Sequence, residues 1–214
     1  MSIPRILHYP GSKWSMASWI INHMPEHSTY LETFFGSGAV FFNKLRSEQG
    51  TINDIDGNVV NLFRVIRDYP EELARAVQWT PYSREEYLSC QFGGDKNLER
   101  GTADDSYRIK QWNSIPDKLQ RVAERLKEVR IECRPALDII KRYKRKDVLI
   151  YTDPPNLSET RNGNIYKYEM TDDEHADLLA TLIDHPGPVI IFGYTQANCM
   201  MKRCLDGYVR NQVK

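Results

Sequence analysis

Long apolar runs are missing from this sequence, and none approaches the roughly 20 residues that a membrane-spanning helix needs. The first eight residues also lack the apolar core of a secretory signal. Cysteine is scarce: the chain has 4 cysteines, widely scattered and without a C-x-x-C pair. This usage favours reduced thiols over disulfides or a zinc centre. We therefore expect a cytoplasmic protein with no membrane contact and no metal site.

A net charge is also missing, because 29 basic residues balance 29 acidic ones. The chain as a whole is therefore not built to attract nucleic acid electrostatically. The basic residues are nevertheless unevenly placed, with 13 Lys/Arg against 5 Asp/Glu between positions 108 and 146. Such clustering is the pattern that phosphate binding requires, although a solvated helix face can produce it too. The most basic run predicts phosphate contacts from Lys144, Arg145 and Lys146.

Apolar segments alternate with amphipathic ones, which is typical of βαβ units and a mainly parallel sheet. The segment 80–115 is polar and rich in turn residues, so we interpret it as an insertion. A capping box formed by Thr171 and Glu174 marks the start of the last predicted helix. The pattern predicts strands at 29–34, 51–54, 130–133, 147–152 and 188–192, and helices at 39–48, 57–67, 70–79, from 116, at 136–144 and from 171.

One predicted strand ends in the tetrapeptide Asp153-Pro154-Pro155-Asn156. This places a carboxylate at the carboxyl edge of the sheet, where open α/β folds bind ligands. The two prolines fix the backbone of an extended tip and remove two competing N–H donors. Rigidly placed oxygens of this kind suit the two hydrogens of an exocyclic amine. The alternative is an ordinary turn at the end of a strand.

A glycine pair, Gly36 and Gly38, follows the first predicted strand and precedes a helix. Glycine lets the backbone approach a nucleotide-like ligand without a Cβ clash. The third glycine of a dinucleotide-binding loop is missing, which argues against a pyrophosphate. Asp54 ends the next strand, where an acid can accept hydrogen bonds from ribose hydroxyls. An adenosine-bearing ligand without phosphates fits this pattern, and S-adenosylmethionine is such a ligand.

Near the amino terminus, Tyr9-Pro-Gly-Ser-Lys13 is a second glycine-containing loop before a helix. Lys13 could contact a ligand carboxylate or hold the tip that carries Asp153. The spacing is equally compatible with a surface lysine that follows a turn.

Taken together, these blocks resemble the Dam-like, D12 class of adenine-N6 DNA methyltransferases. They come in the family's order and cover nearly the whole chain. The matching blocks are Tyr9 to Lys13, Phe34 to Gly38, Asn53 to Asp56, Asp153 to Pro155, Thr160-Arg161, Tyr166, Glu169, His175 with Leu178-Leu179, and Gly193-Tyr194.

The resemblance implies an α/β, Rossmann-like fold that uses S-adenosylmethionine to methylate adenine N6 in double-stranded DNA. Residues 1–79 and 130–214 would form the catalytic domain, and 80–129 a small, mainly helical target-recognition insertion. A restriction endonuclease partner and a monomeric or weakly dimeric state are further expectations.

The resemblance also implies roles for individual residues. Asp153, with the carbonyl of Pro154, would accept hydrogen bonds from the adenine amine, and Pro155 and Asn156 complete the catalytic tetrapeptide. Arg161 would contact DNA beside the basic run. The residues implied to hold S-adenosylmethionine are Tyr9, Lys13, Phe35, Gly36, Ser37, Gly38, Asp54 and Asp153.

Three departures from the family pattern point to an alternative. Asn156 replaces an aromatic residue that would stack on the target base, a contact worth roughly 1–3 kcal/mol. Pro135 stands where relatives often carry an acid, and the sequence ends at Lys214, before a final strand pair that relatives have. The alternative is a catalytically impaired, DNA-binding pseudoenzyme. A third hypothesis is a methyltransferase acting on RNA, protein or a small molecule.

Overall fold

A single parallel sheet forms the centre of the computed structural model, which describes residues 3–80, 109–110, 112–155 and 168–192. Its strand order is β3-β2-β1-β4-β5, and each neighbouring pair is parallel. The order reverses between β1 and β4, so a crevice opens there at the carboxyl ends of the strands. The strands are β1 (Thr29–Glu32), β2 (Gln49–Asn53), β3 (Val129–Glu132), β4 (Val148–Thr152) and β5 (Val189–Ile191).

Helices connect the strands and cover the sheet, which confirms the predicted Rossmann-like α/β fold. Among the described residues, no helix is both long and apolar enough to span a bilayer. The helices are α1 (Ala17–Asn22), α2 (Ala39–Asn43), α3 (Gly57–Asp68), α4 (Pro70–Trp79), α5 (Ile115–Leu126), α6 (Ala136–Arg142) and α7 (Asp172–Ile183).

The central strands are buried on both faces, and every residue of β1 and β4 is buried. One face carries Tyr30, Leu149 and Tyr151, which pack with apolar residues of α2, α3 and α5. The other face carries Leu31 and Ile150, which pack with α6 and α7. Burial on two faces explains why these strands appear in the sequence as continuous apolar runs.

Helix α2 is shorter than predicted, because it ends at Asn43 and the backbone of Lys44 is extended. The chain must return to the end of the sheet where the parallel strands begin. There β2 starts at Gln49, two residues before its predicted start. Pairing with both neighbouring strands extends β2 beyond its apolar residues.

Helix α5 is a core element, although its sequence falls in the segment 80–129. Leu119, Val122 and Leu126 are buried in the main apolar cluster, and the helix packs against α3 and α4. Residues 81–108 lie outside the described part of the chain. The target-recognition role of the segment therefore stays a prediction, and its last helix also stabilises the catalytic half.

Candidate active site

A cleft lies at the point where the strand order reverses, between the carboxyl ends of β1 and β4. It encloses about 710 Å³ of space, open solvent included. Five segments form its walls: the amino-terminal loop, the end of β1 with the loop after it, the residues that follow β2, the end of β4 with its tip, and the residues just before α7.

The loop after β1 requires glycine at two positions. Gly36 and Gly38 have φ values of 48° and 67°, in the left-handed region that other residues rarely adopt. A Cβ at Gly38 would lie 2.4 Å from the ring of Phe35, and a Cβ at Gly36 would lie 3.0 Å from the ring of Tyr9. The loop can therefore keep this path only without side chains at both positions.

Asp54 holds the glycine loop from the neighbouring strand. One of its carboxylate oxygens accepts a hydrogen bond from the N–H of Gly36 at 2.8 Å, and the other accepts from the N–H of Asp56 at 2.9 Å. Burial raises the pKa of Asp54, and the backbone hydrogen bonds oppose that rise. Asp54 also lines the cleft, so it can brace the loop and face a ligand at once.

The amino-terminal loop is attached to the glycine loop through Ser37. The hydroxyls of Ser12 and Ser37 are 2.6 Å apart, and the indole N–H of Trp14 donates to Ser37 at 3.2 Å. The ring of Tyr9 lies against Gly36. Sequence reasoning missed Ser12 and Trp14, because only the folded chain brings these segments together.

Lys13 is bonded to Asp153, with 2.7 Å between its Nζ and the carboxylate Oδ2. It also donates to the carbonyl of Gly11 at 2.7 Å and lies 4.9 Å from the ring centroid of Phe192. Both charged side chains are 19% exposed. Burial raises the pKa of Asp153, and Lys13 opposes that rise. Of the roles considered for Lys13, the geometry matches the one that holds the tip of β4. Pro154 is buried beside Asp153, and Pro155 lines the cleft.

Glu32 and Tyr151 also line the cleft, and neither was predicted as a site residue. They are paired in register at the ends of β1 and β4. Glu32 is 2% exposed and accepts a hydrogen bond from the hydroxyl of Tyr30 at 2.7 Å. Burial raises the pKa of Glu32 to about 8. The available signal was an acid inside an apolar strand, since such a residue is rarely buried without a reason.

The basic run lies at the opposite edge of the sheet, just before β4 begins. Lys144 pairs with Asp184 at 2.5 Å, and Arg145 pairs with Asp147 at 3.2 Å. The structure therefore does not bring Lys144, Arg145 and Lys146 to the cleft, and their role in DNA binding stays a prediction.

Asn156 and Arg161 lie outside the described residues. Within the described ranges, no group of His, Cys, Asp and Glu could hold a metal ion.

Comparison with known proteins agrees with this geometry. The model of the D12 class N6 adenine-specific DNA methyltransferase family matches residues 9–103 and 95–190. DNA adenine methylases of Salmonella typhi and Salmonella typhimurium are 24% identical over 232 residues, covering 89% of this chain and 81% of each relative. Type II methyltransferase M1.LlaDCHI of Lactococcus lactis subsp. cremoris is 35% identical over 66 residues, covering 30% of this chain and 23% of that protein. The chain thus belongs to the D12 class of N6 adenine-specific DNA methyltransferases.

Proposed function

We propose that S-adenosylmethionine is the methyl donor of this adenine methyltransferase and that it binds in the cleft between the glycine loop and Asp153. The observation that carries the proposal is the ion pair of Lys13 and Asp153, which stands across this cleft from the loop braced by Asp54. An amine acceptor and the glycine loop thereby share one cleft.

The residues present fit the donor. Each carboxylate oxygen of Asp54 has a second lone pair after bonding a backbone N–H, and these can accept the ribose hydroxyls. Ile55 follows it in the cleft wall with 38% of its surface exposed, and it offers an apolar contact for the adenine ring. S-adenosylmethionine supplies a methyl group activated by a sulfonium.

Asp153 acts on the target amine in this proposal. The N6 lone pair of adenine is delocalised into the ring and is a poor nucleophile. Two acceptors at fixed positions, the Asp153 carboxylate and the Pro154 carbonyl, favour a pyramidal amine whose lone pair faces the methyl group. Lys13 orients the carboxylate and opposes the rise that burial causes in its pKa. Catalysis of this kind rests on orientation and electrostatic preorganisation.

The target base has to leave the duplex to reach the cleft, at a cost of a few kcal/mol. We propose phosphate contacts from Arg161 and from the basic run as support for this step. Asn156 stands where an aromatic residue would stack on the extruded base, and this substitution is what favours the pseudoenzyme hypothesis.

Incubation with labelled S-adenosylmethionine and mixed-sequence duplex DNA, followed by nucleoside analysis, tests the proposal. We expect N6-methyladenine from the unaltered protein. We expect none from Asp153→Ala, because that variant lacks the main acceptor. Lys13→Met keeps much of the side-chain volume without the charge, and it should reduce transfer while donor binding persists. Donor binding without any transfer by the unaltered protein would favour the pseudoenzyme.

We further propose a cytoplasmic enzyme, monomeric or weakly dimeric, that acts beside a restriction endonuclease. The DNA substrate supports the location, and the similarity to a type II methyltransferase over 66 residues supports the pairing. Size-exclusion chromatography with light scattering tests the oligomeric state.

A further inference from the structure

Glu32 is a buried carboxylate in the wall of the cleft with no role in the function proposed so far. It is the last residue of β1, and its partner in register on β4 is Tyr151. Both residues line the cleft together with Asp153. Glu32 is 2% exposed. A buried acid facing a ligand site responds strongly to the charge of the ligand, because the surroundings screen charge poorly.

The groups that face Glu32 come from every element packed against it. The Tyr30 hydroxyl donates to it at 2.7 Å, and the backbone of Phe41 bonds to it. Burial outweighs these interactions, so the pKa of Glu32 rises to about 8 and the group is mostly protonated at neutral pH. The charged or titratable groups around it are Tyr30 on β1, Tyr151 on β4, Asp153 at the tip of β4, Lys44 after α2 and Arg125 on α5.

Methylation changes the charge of the cleft. A bond forms between adenine N6 and the methyl carbon, while the bond from that carbon to sulfur breaks and its electron pair stays on sulfur. The sulfur loses its positive charge, and N6 must lose one proton. A proton kept by Asp153 would weaken its ion pair with Lys13, which spans 2.7 Å.

We propose that Glu32 takes up the proton that N6 loses, after giving up its own proton when the positively charged donor binds. This inference rests on the proposed function. The total charge of the buried cleft would then be equal before and after transfer, which avoids the cost of leaving an unpaired charge away from water. The Tyr151 hydroxyl can both donate and accept, and it has no partner among the described residues. It can therefore bond to a group that enters the cleft.

Calorimetry with S-adenosylmethionine and S-adenosylhomocysteine tests this exchange. The two ligands differ in one methyl group and one positive charge. Protons exchanged by the groups that both ligands share therefore cancel when the proton release of one titration is subtracted from that of the other. Titrations at pH 7 in two buffers of different ionisation enthalpy give the protons released. We expect about 0.9 proton more for S-adenosylmethionine, the protonated fraction of a group whose pKa is about 8. The difference should shrink as the pH rises through about 8.

Two variants separate Glu32 from its neighbours. Glu32→Gln keeps an acceptor for the Tyr30 hydroxyl but cannot ionise. It should remove the difference in proton release. It should also lower the ratio of the affinity for S-adenosylmethionine to the affinity for S-adenosylhomocysteine. We expect this ratio to fall by about tenfold for each unit by which the bound donor lowers the pKa of Glu32. Lys44→Met is the control, because the pKa of Lys44 is also lowered to about 8, mainly by burial, yet this residue lies outside the cleft. Lys44→Met should keep the difference in proton release between the two ligands.

The outcomes are distinct. A difference that persists in Glu32→Gln would overturn the inference, and its loss in Lys44→Met in addition would point to Lys44. Equal proton release for the two ligands in the unaltered protein would overturn the inference alone. Failure of the unaltered protein to bind either ligand would overturn the proposed function as well. Circular dichroism and binding of S-adenosylhomocysteine establish that Glu32→Gln is folded, and the pH series on the unaltered protein tests the inference without any variant.

Discussion

At the scale of single residues, three carboxylates show how environment separates the roles of one chemical group. Asp54 accepts two backbone N–H bonds and braces a loop, while Asp153 is paired with Lys13 and oriented by it. Glu32 accepts hydrogen bonds from the Tyr30 hydroxyl and the Phe41 backbone and is otherwise enclosed. The partner at each position, and not the carboxylate itself, decides which one binds, which one orients and which one titrates near neutral pH.

Glu32 predicts a pH dependence of stability. Its pKa is about 8 in the folded protein against an ordinary value of 4.5, so its contribution is fully present below pH 4.5 and is lost as the pH rises through 8. A difference of one pKa unit between the folded and unfolded states corresponds to about 1.4 kcal/mol, so the total is on the order of a few kcal/mol. Glu32→Gln should flatten the fall in unfolding free energy between pH 5 and pH 8, measured by urea denaturation. Equal slopes for the two proteins would contradict the buried titration.

Asp54→Ala should weaken binding of S-adenosylmethionine by about tenfold to a hundredfold, because it removes charged acceptors for the ribose and the brace on Gly36. Asp54→Asn is the matched control, since it keeps the size and one acceptor oxygen, and an intermediate affinity is expected. Calorimetry showing undiminished affinity in Asp54→Ala would remove this residue from the site.

Asn156→Tyr should raise methyl transfer by roughly tenfold to a hundredfold if about 1–3 kcal/mol of base stacking is realised in the transition state. Transfer is measured from labelled donor to duplex DNA. Asp153→Ala should abolish transfer both alone and in combination with Asn156→Tyr. Activity that stays undetectable in Asn156→Tyr while the donor still binds would make the pseudoenzyme the better hypothesis.

At the scale of elements, the backbone at the start of β4 and the backbone of the turn before β5 approach each other closely. The N–H of Ile150 donates to the carbonyl of Pro188 at 3.0 Å. A Cβ on the preceding Gly187 would lie 2.5 Å from the carbonyl oxygen of Val148 and 2.7 Å from that of Arg145. The start of β4 and the turn before β5 therefore fit together only because Gly187 has no side chain.

Gly187→Ala should lower the free energy of unfolding by about 1–3 kcal/mol, the usual cost of overpacking. Gly57→Ala is the control, because a Cβ there meets nothing within 4 Å and alanine favours the helix α3 that begins at this residue. Thermal or urea unfolding of the two variants gives the comparison. Equal stability of the two variants would mean that the turn shifts without cost.

At the scale of the whole molecule, the basic run and the cleft lie at opposite ends of the strands. The cleft opens at the carboxyl ends of the strands, whereas Lys144, Arg145 and Lys146 precede β4. A five-residue strand separates the two edges by roughly 17 Å. DNA that contacts both the cleft and the basic run has to extend along the strands from one end of the sheet to the other.

Replacing Lys144, Arg145 and Lys146 together should flatten the dependence of DNA affinity on salt, by up to about one unit of log–log slope for each phosphate that the variant no longer binds. A variant lacking the exposed Arg46, Arg64 and Arg75, which lie outside the basic segment 108–146, removes the same charge and serves as the control. Binding to a short duplex is measured over a series of salt concentrations. An unchanged slope in the first variant would show that the basic run is a solvated face.

Local patterns determined the fold class and the main parts of the site. Alternating apolar and amphipathic segments give the parallel sheet, and the capping box of Thr171 and Glu174 forms at the predicted helix start. The positive φ of Gly36 and Gly38 and the acid after β4 follow from nearest-neighbour chemistry. These features depend on a few adjacent residues, so the sequence alone is sufficient to predict them.

Tertiary structure decided what depends on residues far apart in the chain. It pairs Lys13 with Asp153, attaches Asp54 to Gly36 and makes α5 part of the core. It also places the basic run away from the cleft. The raised pKa of Glu32 depends on burial by β4 and α2, which no local pattern contains. Packing sets these properties, because desolvation and charge pairing are fixed only when distant segments come into contact.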